Sequence, residues 1–414
     1  MTKTSESAGA SGGNPAIQAT GPLKGLRVIE LGVLLAGPFC GQLLGDLGAE
    51  VIKIEPPEQG DPMRDWGTIK PEGQGLWFSI VARNKKCITA NLRTPDGQQI
   101  LKDLVAQADF LVENFRPGTM EKWGLGYDVL AAINPRLIMV RVSGYGQTGP
   151  SSHKAGYASV GEAMGGLRYV MGEPDRMPSR AGISIGDTLA ATYATIGALA
   201  ALEHRHKTGR GQVVDSAIYE SCFAMMESLI PDYQFGGHIR ERSGSILPKI
   251  APSNIYPASD GMLIIAANQD SVWRRLADLM GRPELASDTK YANHSARGDH
   301  QSDLDTIISD WTKVQTCDAL EALCEAGGVP CGRIYRAPDM LTDKQFIARE
   351  AIIKVEHPVL GPFKMQNVFP KLSETPGNVR WTGPEMGSHT DEVLQDVLGY
   401  DAARIKALKA AGAI

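Results

Sequence analysis

Between Leu26 and Val142, short runs rich in β-branched residues alternate with stretches patterned for helix. This alternation restricts the fold more than any other feature of the chain. Residues 26–31 (LRVIEL), 51–55 (VIKIE), 87–92 (CITANL), 109–114 (DFLVEN) and 137–142 (LIMVRV) read as strands. Residues 38–50 and 94–108 read as helices between them. Strands separated by helices are joined in parallel, so the expected class is α/β with a doubly wound, mostly parallel sheet. Such a sheet binds ligands at the carboxyl ends of its strands.

At 414 residues the chain has room for two or three domains. The first 22 residues are small, polar and Gly/Ser-rich, with no apolar core and no arginine, and read as a disordered leader. The large domain then runs over 23–230. Within it, residues 156–207 are small and mostly helical, 212–217 form a strand and 219–230 a helix. Residues 231–254 are irregular and basic, with Gly236, Gly237, Pro248 and Pro252, and read as a linker with a loop. A smaller α+β domain covers 255–340, with a hairpin and helices at 271–281, 303–311 and 317–327. Residues 341–414 return to the large domain, β-like over 345–372 and ending in an amphipathic helical tail at 390–411.

Several chemistries lose support at this level. A formal charge of −5 argues against a dedicated nucleic-acid binder. No run of 18 apolar residues occurs, so no membrane span is expected. None of the six cysteines forms a C-x-x-C pair, and Cys317, Cys324 and Cys331 fall seven apart, as on one helical stripe. They read as buried, reduced thiols of a cytoplasmic protein. The eight histidines are scattered, so no metal site is expected. His204 and His206 belong to the basic end of a helix that Gly209 would stop. The run Gly144–Gly149 (GYGQTG) follows a strand as a dinucleotide loop would, but Pro150 follows in place of a helix.

Asp187 is the one acidic residue ahead of a long uncharged run that ends at Glu203. It reads either as a helix cap or as a carboxylate nucleophile kept ionised by the helix N-terminus.

The chain resembles the family III CoA-transferases, the group of formyl-CoA and carnitine CoA-transferases. The resemblance is carried in order by residues 23–55, 112–127 (VENFRPGTMEKWGLGY), 142–150 (VSGYGQTGP), 186–220 (GDTLAATYATIGALAALEHRHKTGRGQVVDSAIYE), 328–332 (GVPCG) and 387–394 (GSHTDEVL). It implies that Asp187 is the nucleophile of an acyl-CoA:carboxylate exchange through an aspartyl anhydride and an aspartyl-CoA thioester. Coenzyme A would be a substrate, with no tightly bound cofactor. The resemblance maps CoA contacts to Leu34, Leu35 and Ala36, to Ala90, Asn91, Leu92 and Arg93, to Asn114, Phe115, Arg116 and Lys122, and to Tyr157. Pro56 stands where formyl-CoA transferase carries a basic residue, which puts that contact in doubt.

Substrate candidates are Glu162 and the cations Arg240, Arg242 and Lys249 of the expected active-site loop at 231–254. The related α-methylacyl-CoA racemases use a G-H-D segment where this chain has Gly156, Tyr157 and Ala158. That removes the proton-transfer histidine and argues against racemisation. The GEAMGGLRY and SGSILPKIAPSN runs resemble the branch acting on dicarboxylic acids, with succinyl-CoA as the expected donor. Formyl-CoA/oxalate or carnitine exchange and an inactive CoA-binding protein are the alternatives. The family also implies an interlocked homodimer, with acyl-CoA and a small carboxylic acid as the other partners.

Overall fold

A computed structural model describes residues 18–414. Two compact units emerge. The first comprises residues up to Gly165, Ser184–Met225 and Ala348–Ile414; the second comprises Gly166–Ile183 and Met226–Ile347. The leader expected over 1–22 lies outside the described residues up to position 17. Its described remainder is tied down rather than loose: Thr20 donates to the Pro376 carbonyl at 2.6 Å and Asn378 to the Gln18 carbonyl at 2.9 Å.

The first unit is built on six parallel strands: β1 (Arg27–Glu30), β2 (Glu50–Glu55), β3 (Lys85–Thr89), β4 (Phe110–Glu113), β5 (Ile138–Ser143) and β6 (Val213–Ala217). Their spatial order is 3-2-1-4-5-6. The winding reverses between β1 and β4, which opens a crevice at their carboxyl ends. Strands β4 and β5 are buried at every position, because helices cover both faces of a parallel sheet. The core joins Ile29, Ile52, Leu111 and Met139 of the sheet to Ile100 and Leu104 of α2 (Pro95–Val105). The C-terminal Val393, Leu394, Ile405 and Leu408 close the same core.

Helix α1 (Ala36–Asp46) follows β1, and α4 (Ile185–Thr208) packs along it and against β5 and β6. Ala190, Ala191, Ala194, Ala198 and Ala201 of α4 are buried, and small side chains permit this close approach. At Gly197 a Cβ would lie 2.5 Å from Val214 Cγ1. By length and composition α4 could cross a bilayer. Its buried alanine face packed on the sheet makes it a core helix instead. Gly209 ends it at φ +76°.

The second unit carries an antiparallel sheet of β7 (Ser253–Pro257), β8 (Met262–Ala266) and β9 (Cys331–Arg333). Trp273, Leu276, Leu304, Ile308 and Leu320 form its core. Back in the first unit, β10 (Ile352–His357) and β11 (Gly361–Gln366) form a hairpin.

Four local expectations are corrected. The helix expected at 219–230 is α5 (Ile218–Phe223), broken where Glu227 takes φ +49°. A second helix, Leu229–Gly236, occupies the start of the stretch read as irregular. Cys331 does not share a helical stripe with Cys317 and Cys324. Gly328, at φ +64°, ends that helix and sends Cys331 into β9, where its thiol hydrogen-bonds Cys324. The tail is interrupted by Gly399 at φ +68°, and Asp401 caps a separate helix, Ala402–Ala410.

Candidate active site

The turn leaving β1 is held from several sides. Val33 donates to Asn114 Oδ1 at 2.8 Å, and Asn114 Nδ2 donates back to the Val33 carbonyl at 2.9 Å. This two-way bond joins the loops after β1 and β4 across the crevice. Gly37 is bare because a Cβ there would meet the Asn114 side chain at 3.1 Å. Leu34 is left-handed at φ +61°, an unusual state for a branched side chain. Leu34 and Leu35 are half-buried, and Ala36 is buried at the start of α1.

Asp187 lies in the first turn of α4, where Ser184 holds the cap position without a side-chain cap bond. It is half-buried. A carboxylate in this turn is stabilised by the helix dipole and by N–H groups that lack helical partners. Gly186 beside it accepts no Cβ easily. One would meet Glu162 Cγ at 3.0 Å, Ile218 Cγ2 at 3.2 Å and the Ala158 carbonyl at 3.3 Å. Glu162, in α3 (Ala158–Met164), is 1% exposed and accepts the Gly186 N–H at 3.4 Å. Two carboxylates thus flank one glycine. Burial pushes the nearby Cys222 thiol up to about 11, and the charges of Glu162 and Asp187 add to the shift.

The other expected contacts spread around the sheet's carboxyl edge. Ala90 and Leu92 are buried after β3, and Asn91 donates its N–H to the Ala413 carbonyl at 2.8 Å. Arg93 and Lys122 are exposed. Phe115 packs edge-on against Trp123 at 5.3 Å, and its N–H donates to Glu113 at 2.7 Å. Arg116 donates to the His153 carbonyl at 2.8 Å. Tyr157 is 73% exposed at the start of α3.

In the second unit, Arg240 pairs with Glu227 at 2.8 Å and Asp232 at 3.0 Å. Arg242 lies over the Tyr169 ring and donates to its carbonyl at 3.1 Å. Lys249 pairs with Asp299 at 2.6 Å. All three cations already have a partner within their own unit. Among the described residues, no cluster of three His, Cys, Asp or Glu side chains is arranged to hold a metal ion.

Sequence reasoning missed the charges beneath the β1 turn. Glu30, Lys53, Asp61 and Lys85 are all buried. Glu30 and Lys53 each stand between apolar neighbours in the runs LRVIEL and VIKIE, and that misfit was the available signal; Lys85 lies just ahead of the run read as the third strand.

Residues 23–390 match the family model for CoA-transferase family III. The chain is 58% identical over 390 residues to succinyl-CoA--D-citramalate CoA-transferase of Chloroflexus aurantiacus, covering 94% of this chain and 97% of that one. It is 43% identical to the succinyl-CoA--L-malate CoA-transferase beta subunit of the same organism, with the same coverage. Among solved structures, a CAIB/BAIF family protein from Brucella suis superimposes with a TM-score of 0.81 at 36% identity, covering 91% of this chain and 100% of that one. With this match along nearly its whole length, the chain belongs to CoA-transferase family III.

Proposed function

We propose that this CoA-transferase moves CoA from succinyl-CoA to a branched or hydroxy-substituted dicarboxylic acid, with Asp187 as the nucleophile. The observation that carries the reading is a carboxylate in the first turn of a 24-residue helix beside a glycine whose Cβ would crowd Glu162, Ile218 and the Ala158 carbonyl. The two relatives named above act, by their names, on succinyl-CoA with D-citramalate or L-malate.

In this reading an Asp187 oxygen attacks the thioester carbonyl. The C–S bond breaks, CoA leaves as thiolate and a mixed anhydride forms. The thiolate then attacks the aspartyl carbonyl, giving an aspartyl-CoA thioester and free succinate. The incoming acid attacks that thioester and the sequence runs in reverse, restoring the Asp187 carboxylate. Splitting one exchange into such steps is covalent catalysis. Backbone N–H groups of the helix start would stabilise the oxyanions.

The CoA chain would run over the turn Leu34–Ala36 and past Ala90–Leu92, Asn114, Phe115 and Tyr157. Arg93, Arg116 and Lys122 would supply charge for its phosphates. Arg240, Arg242 and Lys249 stand as second-unit candidates for the acid's carboxylate.

The working form in this reading is an interlocked homodimer. Supporting it, Ile196 and Tyr193 on the uncharged stretch of α4 are 57% and 36% exposed in the single chain. The six cysteines, all free thiols, fit a reducing cytoplasm.

The test is an exchange screen. The pure protein is incubated with succinyl-CoA and a panel of citramalate, malate, itaconate, glutarate, oxalate and carnitine, and new thioesters are detected by mass. Products with citramalate or malate support the proposal. Products with oxalate or carnitine alone would overturn the substrate assignment.

A further inference from the structure

Every polar group of the turn Gly32–Leu34 that a side chain grips is gripped from within the first unit. Lys53 Nζ donates to the Gly32 carbonyl at 2.6 Å. Asn114 takes both polar groups of Val33. Asp61 Oδ1 accepts the Leu34 N–H at 2.9 Å and the Met63 N–H at 2.9 Å. The other Asp61 oxygen pairs with Lys53 at 2.8 Å, and Lys53 pairs in turn with Glu30 at 3.1 Å. Lys85 completes the quartet, 2.7 Å from Glu30, and donates to the Pro38 carbonyl of α1 at 2.6 Å. Two positive and two negative charges therefore balance in a site with no more than 1% exposure at any member.

A buried ionic quartet is a poor device for stability alone, since apolar side chains of the same volume do as well or better. What the quartet supplies here is direction. Lys53 and Asp61 each end on a backbone group of the β1–α1 connection, and Lys85 ends on the first turn of α1. Left-handed Leu34 is the residue that such a connection would otherwise release. Burial alone would raise the Asp61 carboxyl, but Lys53 and the Met63 and Leu34 N–H groups outweigh it and keep the group ionised.

We infer that Asp61 is a positioning residue for CoA-thioester binding: it touches no ligand and, with Lys53, holds the turn Gly32–Ala36 in its ligand-accepting form. The inference rests on the reading of that turn as part of the CoA site.

The test compares the full chain with Asp61→Ala and Asp61→Asn, using calorimetric binding of CoA and the KM for succinyl-CoA, with thermal unfolding alongside. Loss of a charged hydrogen-bond anchor predicts CoA binding weaker by about tenfold or more in Asp61→Ala. Asp61→Asn keeps an acceptor for Leu34 and should fall between. The KM for succinyl-CoA should rise with the dissociation constant. A residue that served stability alone would lower the unfolding temperature and leave both constants unchanged, and that result in either folded variant overturns the inference. Should Asp61→Ala not fold, Asp61→Asn decides. If the unaltered protein binds no CoA, the reading of the site fails; if it binds CoA and the variants match it, the role of Asp61 alone fails.

Discussion

At the scale of single residues, the site depends on what surrounds Asp187. Gly186 leaves room for Glu162 Cγ, and Glu162 in return accepts the Gly186 N–H. Replacing Gly186 with Ala forces those atoms apart at the residue next to the proposed nucleophile. The expected result is a kcat lower by about tenfold or more with a small change in unfolding temperature, since sub-ångström misplacement penalises rate before stability. Glu162→Ala strips a buried acceptor and should destabilise by about 1–3 kcal/mol in denaturant unfolding, while Glu162→Gln recovers most of it. Asp187 was singled out as a candidate by a lone acid ahead of an uncharged run and by the family pattern, and the structure puts it in the first turn of α4. Ser184, not Asp187, holds the cap position, a point that local pattern left open.

At the scale of elements, the sheet and its connections set the predictions. Gly41 of α1 faces Glu30, and a Cβ there would lie 1.9 Å from Glu30 Oε2. Gly41→Ala must displace a buried carboxylate paired with two lysines, so a loss of about 1–3 kcal/mol is expected in thermal or denaturant unfolding.

The β10–β11 hairpin carries a pH dependence. His357 is 4% exposed, and its Nδ1 accepts the Val359 and Leu360 N–H groups at 3.2 Å each. Its Nε2 therefore carries the proton, facing Ser79 Oγ at 3.2 Å. Burial depresses the pKa below the ordinary 6.5, and protonating Nδ1 would set N–H against N–H. The unfolded chain binds the extra proton more readily. The stabilisation is thus present above pH 6.5 and is lost as pH falls from there through the depressed folded value. Unfolding free energy measured from pH 7.5 to 5 should fall for the natural protein, and His357→Gln should flatten that slope.

Strands such as LIMVRV were legible because a parallel sheet buried on both faces demands near-continuous apolar runs. The third strand of the small sheet was not. Three residues after a left-handed Gly328 carry too little pattern to distinguish a strand from a helix end.

At the scale of the molecule, nearly all of α4's alanine face is used inside its own unit, yet Ile196 remains open. A second copy covering that surface predicts a dimer of 44.5 kDa chains in sedimentation, persistent on dilution to nanomolar concentration. A monomer at micromolar concentration would contradict the proposed homodimer. The relative named as a beta subunit makes the measurement on this chain alone informative.

The architecture of the large unit was readable from strand and helix alternation. The buried charges beneath the turn after β1 were hidden because Glu30 meets Lys53 only once β1 and β2 pair, and Asp61 reaches Lys53 only when the loop after β2 folds back. The central claim, that Asp187 carries the exchange, is tested most directly by the rate of CoA transfer from succinyl-CoA in Asp187→Ala. The account predicts loss of transfer by at least about a thousandfold with CoA binding and the unfolding temperature retained. Substantial turnover in that variant would contradict it.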